Sequence, residues 1–279
     1  MKNCIVAVAG DLHVNSTVAL CPPKFNLDDG GTYVASKQQR FIWNHWIDYW
    51  NHIRELKQQG NYYIYAVLNG DIADDLNHKS TQLITKNEAD IISLTVIALN
   101  PVLEVADSII VIRGTEAHVR PSASIEEIIA NEIGAVRDSD TDQAARWLYR
   151  DVINGVKLHV THHPGMGHMR EWTRGGDANR LAAQIFMRYA SMRVDYPDLA
   201  IFGHNHKPVD SYDNHPTRAV VLPSWQLTNA FGYRLGGGWL PVGGAYITID
   251  DSGYEVHKHY KQWPIASWKQ TTTNLHMTN

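Results

Sequence analysis

The sequence predicts an α/β sandwich with a mixed sheet, and three observations carry that reading. Short apolar runs of strand length alternate with segments of helical apolar spacing. The last third of the chain is instead rich in strand patterns and turn signals, as antiparallel hairpins are. The apolar runs also end in polar motifs, as strands do when they deliver residues to a ligand site at one edge of a sheet.

In chain order, residues 4–9 read as a buried first strand ending in "GDLH", and "CPPKFNLDDGGTY" as an irregular loop. From Ser36 to Gln59, the residues Ile42, Trp46, Tyr49, Ile53 and Leu56 share one face of a helix that Gly60 stops. "YYIYAVLNGD" is a second strand, residues 87–106 a helix broken or kinked at Pro101, and residues 108–112 a third strand. The pattern Ser124-x-x-Glu127 predicts a capping box on a helix that stops at Gly134. "WLYRDVINGVKLHVTHH" is a hairpin with Asn154-Gly155 in a type I′ turn. A helix over roughly 177–193, the strand "DLAIFGHNH" and a hairpin at Asp251-Ser252-Gly253 complete the series. With no repeat and no low-complexity stretch, residues 1–279 are expected to form one domain, β-rich from about 206.

A hydrophobic content of 44% with 19% charged residues supports a full core, and the net charge of −4 excludes a protein-wide basic field for nucleic acid or membrane. A local groove for nucleic acid remains compatible with that balance. Two cysteines are too few for a disulfide framework, the first apolar run is too short for a secretory signal, and no stretch is long enough to span a bilayer. The expected location is the cytoplasm.

The chemistry lies at five strand ends: "GDLH", "NGD", "RGTEAH", "THH" and "GHNH". They carry Asp11, His13, Asp71, Glu116, His118, His162, His163, His204 and His206. Imidazoles mixed with carboxylates suit Mn, Fe, Zn or Co. So many donors exceed one tetrahedral site, and two ions sharing a bridging carboxylate would use them. Other histidines read more plainly: His45 and His52 as packing or surface residues, His257 and His259 as one solvated face. Trp43, Trp46 and Trp50 read as core, while His78 and His168 sit in loops that could border the site.

This order of motifs resembles the calcineurin-like metallophosphoesterase superfamily, whose signature runs D-x-H, G-D-x-x-D, G-N-H-D/E, a lone His after a strand, then G-H-x-H. The matching pieces are Asp11-Leu12-His13, Gly70-Asp71-Ile72-Ala73-Asp74, Gly114-Thr115-Glu116-Ala117-His118, His162 and Gly203-His204-Asn205-His206, spanning residues 4–206. The resemblance implies a four-layer α/β sandwich with mixed sheets flanked by helices. It also implies a binuclear metal centre that hydrolyses phosphoesters through a metal-activated hydroxide. By that match Asp11, His13 and His206 hold the first ion, His162 and His204 the second, and Asp71 bridges them. Asp74 is then a hydrogen-bonding neighbour of the site.

Either histidine of "THH" could be the ligand; His162 is favoured, leaving His163 to orient it or to touch substrate. The third motif departs from the family, because it lacks the asparagine and is longer. Glu116 is read as the replacement ligand, with His118 as proton donor or charge stabiliser; alternatively Glu116 points away and a backbone carbonyl or water completes the site. Three carboxylates around two ions would favour a hard ion such as Mn(II). Arg174, before Gly175-Gly176 and a helix, is a candidate phosphate contact. It tilts the expected substrate towards a phosphodiester, nucleotide or nucleic acid. The alternatives are a phosphomonoesterase or protein phosphatase, and a non-catalytic metal-binding scaffold of the same fold.

Overall fold

Strand β1 (Cys4–Ala9) is buried at all six positions because it lies in the interior of a sheet covered on both faces. The computed structural model describes residues 3–75, 81–165, 173–234 and 238–264, without the side chains of Arg174 and Phe231. In the first, six-stranded sheet, β1 pairs in parallel with β4 (Tyr63–Asn69), which is followed by β5 (Ser108–Ile112) and β6 (Ala145–Arg146), also parallel. On its other side β1 pairs antiparallel with β12 (Val242–Asp250), which forms a hairpin with β13 (Gly253–Lys261). The β-rich end of the chain therefore returns to complete the sheet that the first strand began.

A second sheet has five strands, β7 (Tyr149–Ile153), β8 (Val156–Val160), β9 (Leu199–Phe202), β10 (Val209–Asp210) and β11 (Arg218–Val221), in the order β10-β11-β9-β8-β7. Its three central strands are parallel and its two edges antiparallel. A small hairpin, β2 (Lys24–Asn26) with β3 (Thr32–Val34), occupies the stretch expected to be loop.

Three apolar clusters separate four layers. The first packs Ile5, Ala7, Ile64, Ala66 and Leu68 of the first sheet against helices α1 (Lys37–Gly60) and α2 (Glu88–Leu103). The second joins the opposite face, Cys4, Val6, Val8, Ile110 and Ile112, to Leu158, Val160, Leu199 and Ile201 of the second sheet. The period-two alternation of β1 thus feeds two interfaces at once. The third packs Leu181, Ala182 and Ile185 of a later helix, Arg174–Ser191, against Ala200, Phe202 and Val221. The result is an α/β sandwich layered helix, sheet, sheet, helix. Among the described residues no helix is long and apolar enough to cross a membrane.

Several local expectations change. The short helix α3 (Glu116–Val119) precedes α4 (Ser124–Glu132), and Ser124 is the first residue of α4 rather than its cap. Ala123 caps it with no side-chain bond, and Glu127 instead accepts from the Ala144 and Ala145 N–H groups and from Arg113. A capping box does exist, at Ser36 and Gln39 ahead of α1. Pro101 does not end α2, which runs on to Leu103. The later helix, α5, begins at Arg174 rather than 177. Asn154 and Gly155 both have positive φ, 48° and 85°, as a type I′ turn requires.

Trp46 and Trp50 are core residues. His257 and His259 do not form a solvated face: His259 stacks on His45 and His52, and His257 on Tyr246. His159, 4% exposed, bonds Tyr189 Oη at 2.8 Å, and burial pushes its pKa down to about 4. The unfolded chain therefore takes up a proton that the folded chain refuses, so this contribution to stability is lost as pH falls from 6.5 towards 4. The expected loss is about 3 kcal/mol. Urea titrations of wild type and His159→Leu across that window check it: the pH slope should flatten in the variant.

Candidate metal centre

The loops after β1, β4, β5, β8 and β9 meet at the carboxyl ends of the strands, and the backbone there is held by cross-loop bonds. Asp11 N donates to Gly70 O at 2.8 Å, His13 N to Asp71 O at 2.9 Å and Gly203 N to His162 O at 2.9 Å. Asp11, His13, Asp71, His204 and His206 all have positive φ, between 45° and 68°. Each such non-glycine residue costs on the order of 1 kcal/mol, a strain that collects at functional sites. Gly203 has to be glycine for a different reason: a Cβ there would lie 2.6 Å from Asp11 Oδ2. The absent side chain lets the last loop close over the first.

Two groups of donor atoms result. In the first, His206 Nε2 lies 3.1 Å from His13 Nε2 and 3.2 Å from Asp11 Oδ1, with His13 Nε2 3.9 Å from that oxygen. In the second, Thr115 Oγ1 lies 3.4 Å from His162 Nε2, 3.2 Å from His163 Nε2 and 3.0 Å from His204 Nδ1. Neighbouring ligands of a four-coordinate ion with bonds of about 2.0–2.1 Å are roughly 3.3 Å apart, and these spacings are close to that value. Asp11, Asp71 and His162 form a third group, their donor atoms within 4.8 Å of one another, and it links the other two. The residues fit a pair of divalent ions.

The electrostatics point the same way. Burial opposes ionisation of Asp11 and Asp71, yet the neighbouring imidazoles outweigh it, and Asp71 is held well below the usual carboxylate range. Burial likewise opposes a charge on His162, but Asp71 and Asp11 push its pKa up to about 10. A proton there supplies the positive charge that the carboxylates demand, and a divalent ion would displace it. His162 Nδ1 donates to Asn69 O at 2.8 Å, which turns Nε2 towards the cluster. Burial and the charge of His162 lower the pKa of His204 to about 4 and that of His163 as well, so both offer neutral nitrogens. The pKa of His13 is also lowered by burial against the pull of Asp74, whose Oδ2 lies 3.9 Å from Nδ1, too far for a hydrogen bond.

His118 stands beside the first group, its ring edge-on to His13 at 4.6 Å. Its Nδ1 bonds Asp74 Oδ1 at 2.8 Å, and Asp75 N donates to its carbonyl at 2.9 Å. Burial opposes the charged form, but the bond to Asp74 and the charges of Asp71 and Asp74 raise its pKa to about 9.

Glu116 departs from the expectation. It opens α3, is exposed, and its Oε1 accepts from Ser122 N at 2.8 Å; none of the donor groups among the described residues includes it. The Ser122 N–H holds its carboxylate at the turn that follows α3, outside the donor groups. Thr115, directly after Gly114, stands there instead. The sequence held a signal for it, since counting from Gly114 rather than back from His118 lands on Thr115. Glu126 was also missed: fully buried, it accepts from Ile72 N at 3.1 Å and Gly114 N at 2.5 Å, tying two site loops together, and burial raises its pKa to about 8. Of the other expectations, the backbone of Arg174 opens α5 but its side chain is outside the described residues, as are His78 and His168.

No protein-family model matches the chain, and no curated protein does. Solved structures resemble it in shape. A dimetal phosphatase from Danio rerio is 9% identical, with 94% of this chain and 98% of that one covered and a TM-score of 0.44. A hypothetical protein from Pyrococcus horikoshii is 12% identical, with 92% and 88% covered and a TM-score of 0.45. Vps29 from Chaetomium thermophilum is 9% identical, with 94% and 98% covered and a TM-score of 0.41. At these values the residues of this chain, and not the likenesses, carry the functional reading.

Proposed function

We propose that this chain is a metal-dependent phosphoesterase of the calcineurin-like type, acting as one domain in the cytoplasm and preferring phosphodiesters such as nucleotides or nucleic acid. The observation that carries the reading is the pair of donor groups joined through Asp11, Asp71 and His162, with His118 held beside them. Asp11, His13 and His206 would hold one ion, and His162 and His204 the other, with Asp71 between them. Two divalent ions, when bound, supply Lewis-acid stabilisation of phosphoryl oxygens and a nucleophile at neutral pH.

The chain's own residues do the rest. Asp74 fixes the Nδ1 proton of His118, leaving Nε2 to donate to the leaving oxygen or to the developing phosphoryl charge. The cross-loop bonds hold the donor groups in register before substrate arrives. The diester preference rests on the sequence, in which Arg174-Gly175-Gly176 opens α5 and offers a guanidinium and helix N–H groups to a phosphate.

The test is hydrolysis of bis(4-nitrophenyl) phosphate against 4-nitrophenyl phosphate, with bound ions counted by elemental analysis. Two ions per chain and faster turnover of the diester are expected. Turnover of the monoester alone would replace the diester assignment with a phosphomonoesterase. Two ions with no turnover of either would favour the scaffold.

A further inference from the structure

We propose that the second pocket is a three-histidine site, with His163 a ligand alongside His162 and His204, and that it selects zinc or a similarly nitrogen-preferring ion over manganese. The inference rests on the binuclear reading and specifies what one of its two sites takes.

The geometry gives His163 the same standing as its neighbours. Its Nε2 lies 3.2 Å from Thr115 Oγ1, between the values for His204 and His162, and the three donor nitrogens lie within 4.8 Å of one another. Its ring centroid is 4.8 Å from that of His162, edge-on, and 4.6 Å from that of His204. Consecutive residues of a strand point to opposite faces, which would send His162 and His163 apart. Here β8 ends at Val160 and the chain bends at His162, so the alternation fails and both rings converge.

The donor chemistry follows. With Glu116 turned to Ser122, the second pocket offers three imidazole nitrogens and a neutral hydroxyl, and Asp71 is the anion beside it. The first pocket instead combines a carboxylate of its own, Asp11, with two imidazoles. Manganese prefers oxygen donors, imidazole suits zinc, and zinc also stands above manganese in general affinity. The two pockets therefore differ in selectivity, the reverse of a centre enriched in carboxylates by Glu116.

The experiment uses the full chain, stripped by a chelator and titrated with Zn(II) and Mn(II) singly and in competition, bound ions being counted by elemental analysis. Wild type should hold two ions, and zinc should win over manganese by a clearly larger factor at one site than at the other. His163→Ala should weaken that zinc equivalent by roughly 10–100-fold or more and leave the other in place, while Glu116→Ala keeps both. Should His163→Ala bind both ions with wild-type affinity, or should wild type show no zinc-selective site, the inference fails and the binuclear reading stands. A wild type that binds no ions at all sinks both. If His163→Ala does not fold, His163→Gln, which keeps a polar side chain of similar reach, is titrated in its place, and wild-type zinc affinity in that variant overturns the inference.

Discussion

Asp71→Asn is expected to lose at least one of two bound ions and to lower hydrolysis by more than 10²-fold, with the fold retained. Asp71 is 1% exposed and belongs to the donor group that links the other two through Asp11 and His162. Its Oδ1 accepts from Thr115 N at 2.6 Å, which anchors the loop that carries Thr115 and His118. Its Oδ2 lies 3.1 Å from His162 Nε2, within the group that joins the two donor sets. Asparagine keeps the shape and one carbonyl oxygen, so the bond from Thr115 can survive. It removes the charge that holds a cation there. Losing a hydrogen-bonding neighbour of a ligand costs roughly 10–100-fold in metal affinity or activity, and losing a shared ligand should exceed that.

The thermal readout separates this effect from general damage. Wild type should gain stability with added zinc, because an ion that binds only the folded chain stabilises it by mass action. In Asp71→Asn that gain should shrink or vanish. A variant that still holds two ions and hydrolyses at the wild-type rate would remove Asp71 from the centre altogether.

Much of this was legible in the sequence because burial has a period. A continuous apolar run such as Cys4–Ala9 must be covered on both faces, and the residues that end it must reach solvent or a ligand. That logic located every strand that feeds the site. What it could not show was direction after the strand stops. Glu116 was the chemically apt substitute for a missing amide ligand, yet its carboxylate is held by the Ser122 N–H while the smaller Thr115 faces the histidines. The positive φ values of Asp11, His13, Asp71, His204 and His206 are set by packing between loops far apart in sequence, so no local pattern announces them. Ser124 makes the same point from the other side. The capping-box spacing was present, but Glu127 is more strongly engaged by Arg113 and two backbone N–H groups, and the helix starts without a side-chain cap.

The second large effect is expected from His118→Ala, and its dependence on leaving group tells which task His118 performs. General acid catalysis contributes about 10²–10⁴-fold, and that is the expected loss in kcat for a substrate that leaves as an alkoxide. The number of bound ions should stay at the wild-type value, because His118 is bonded through Nδ1 to Asp74 and belongs only to the donor group it forms with His13 and Asp74, which shares only His13 with the two pockets. A 4-nitrophenolate leaving group is stable without a proton, so the loss on bis(4-nitrophenyl) phosphate should be much smaller if His118 donates one. Equal losses on both substrates would instead assign His118 to the developing charge on phosphorus, which every substrate shares. Asp74→Asn offers the companion measurement. It keeps a hydrogen-bond acceptor for Nδ1 but removes one of the charges that raise the pKa of His118, so its loss should fall between wild type and His118→Ala. Full activity in both variants would leave the site without its proton donor and would shift the mechanism to the metal-binding residues alone.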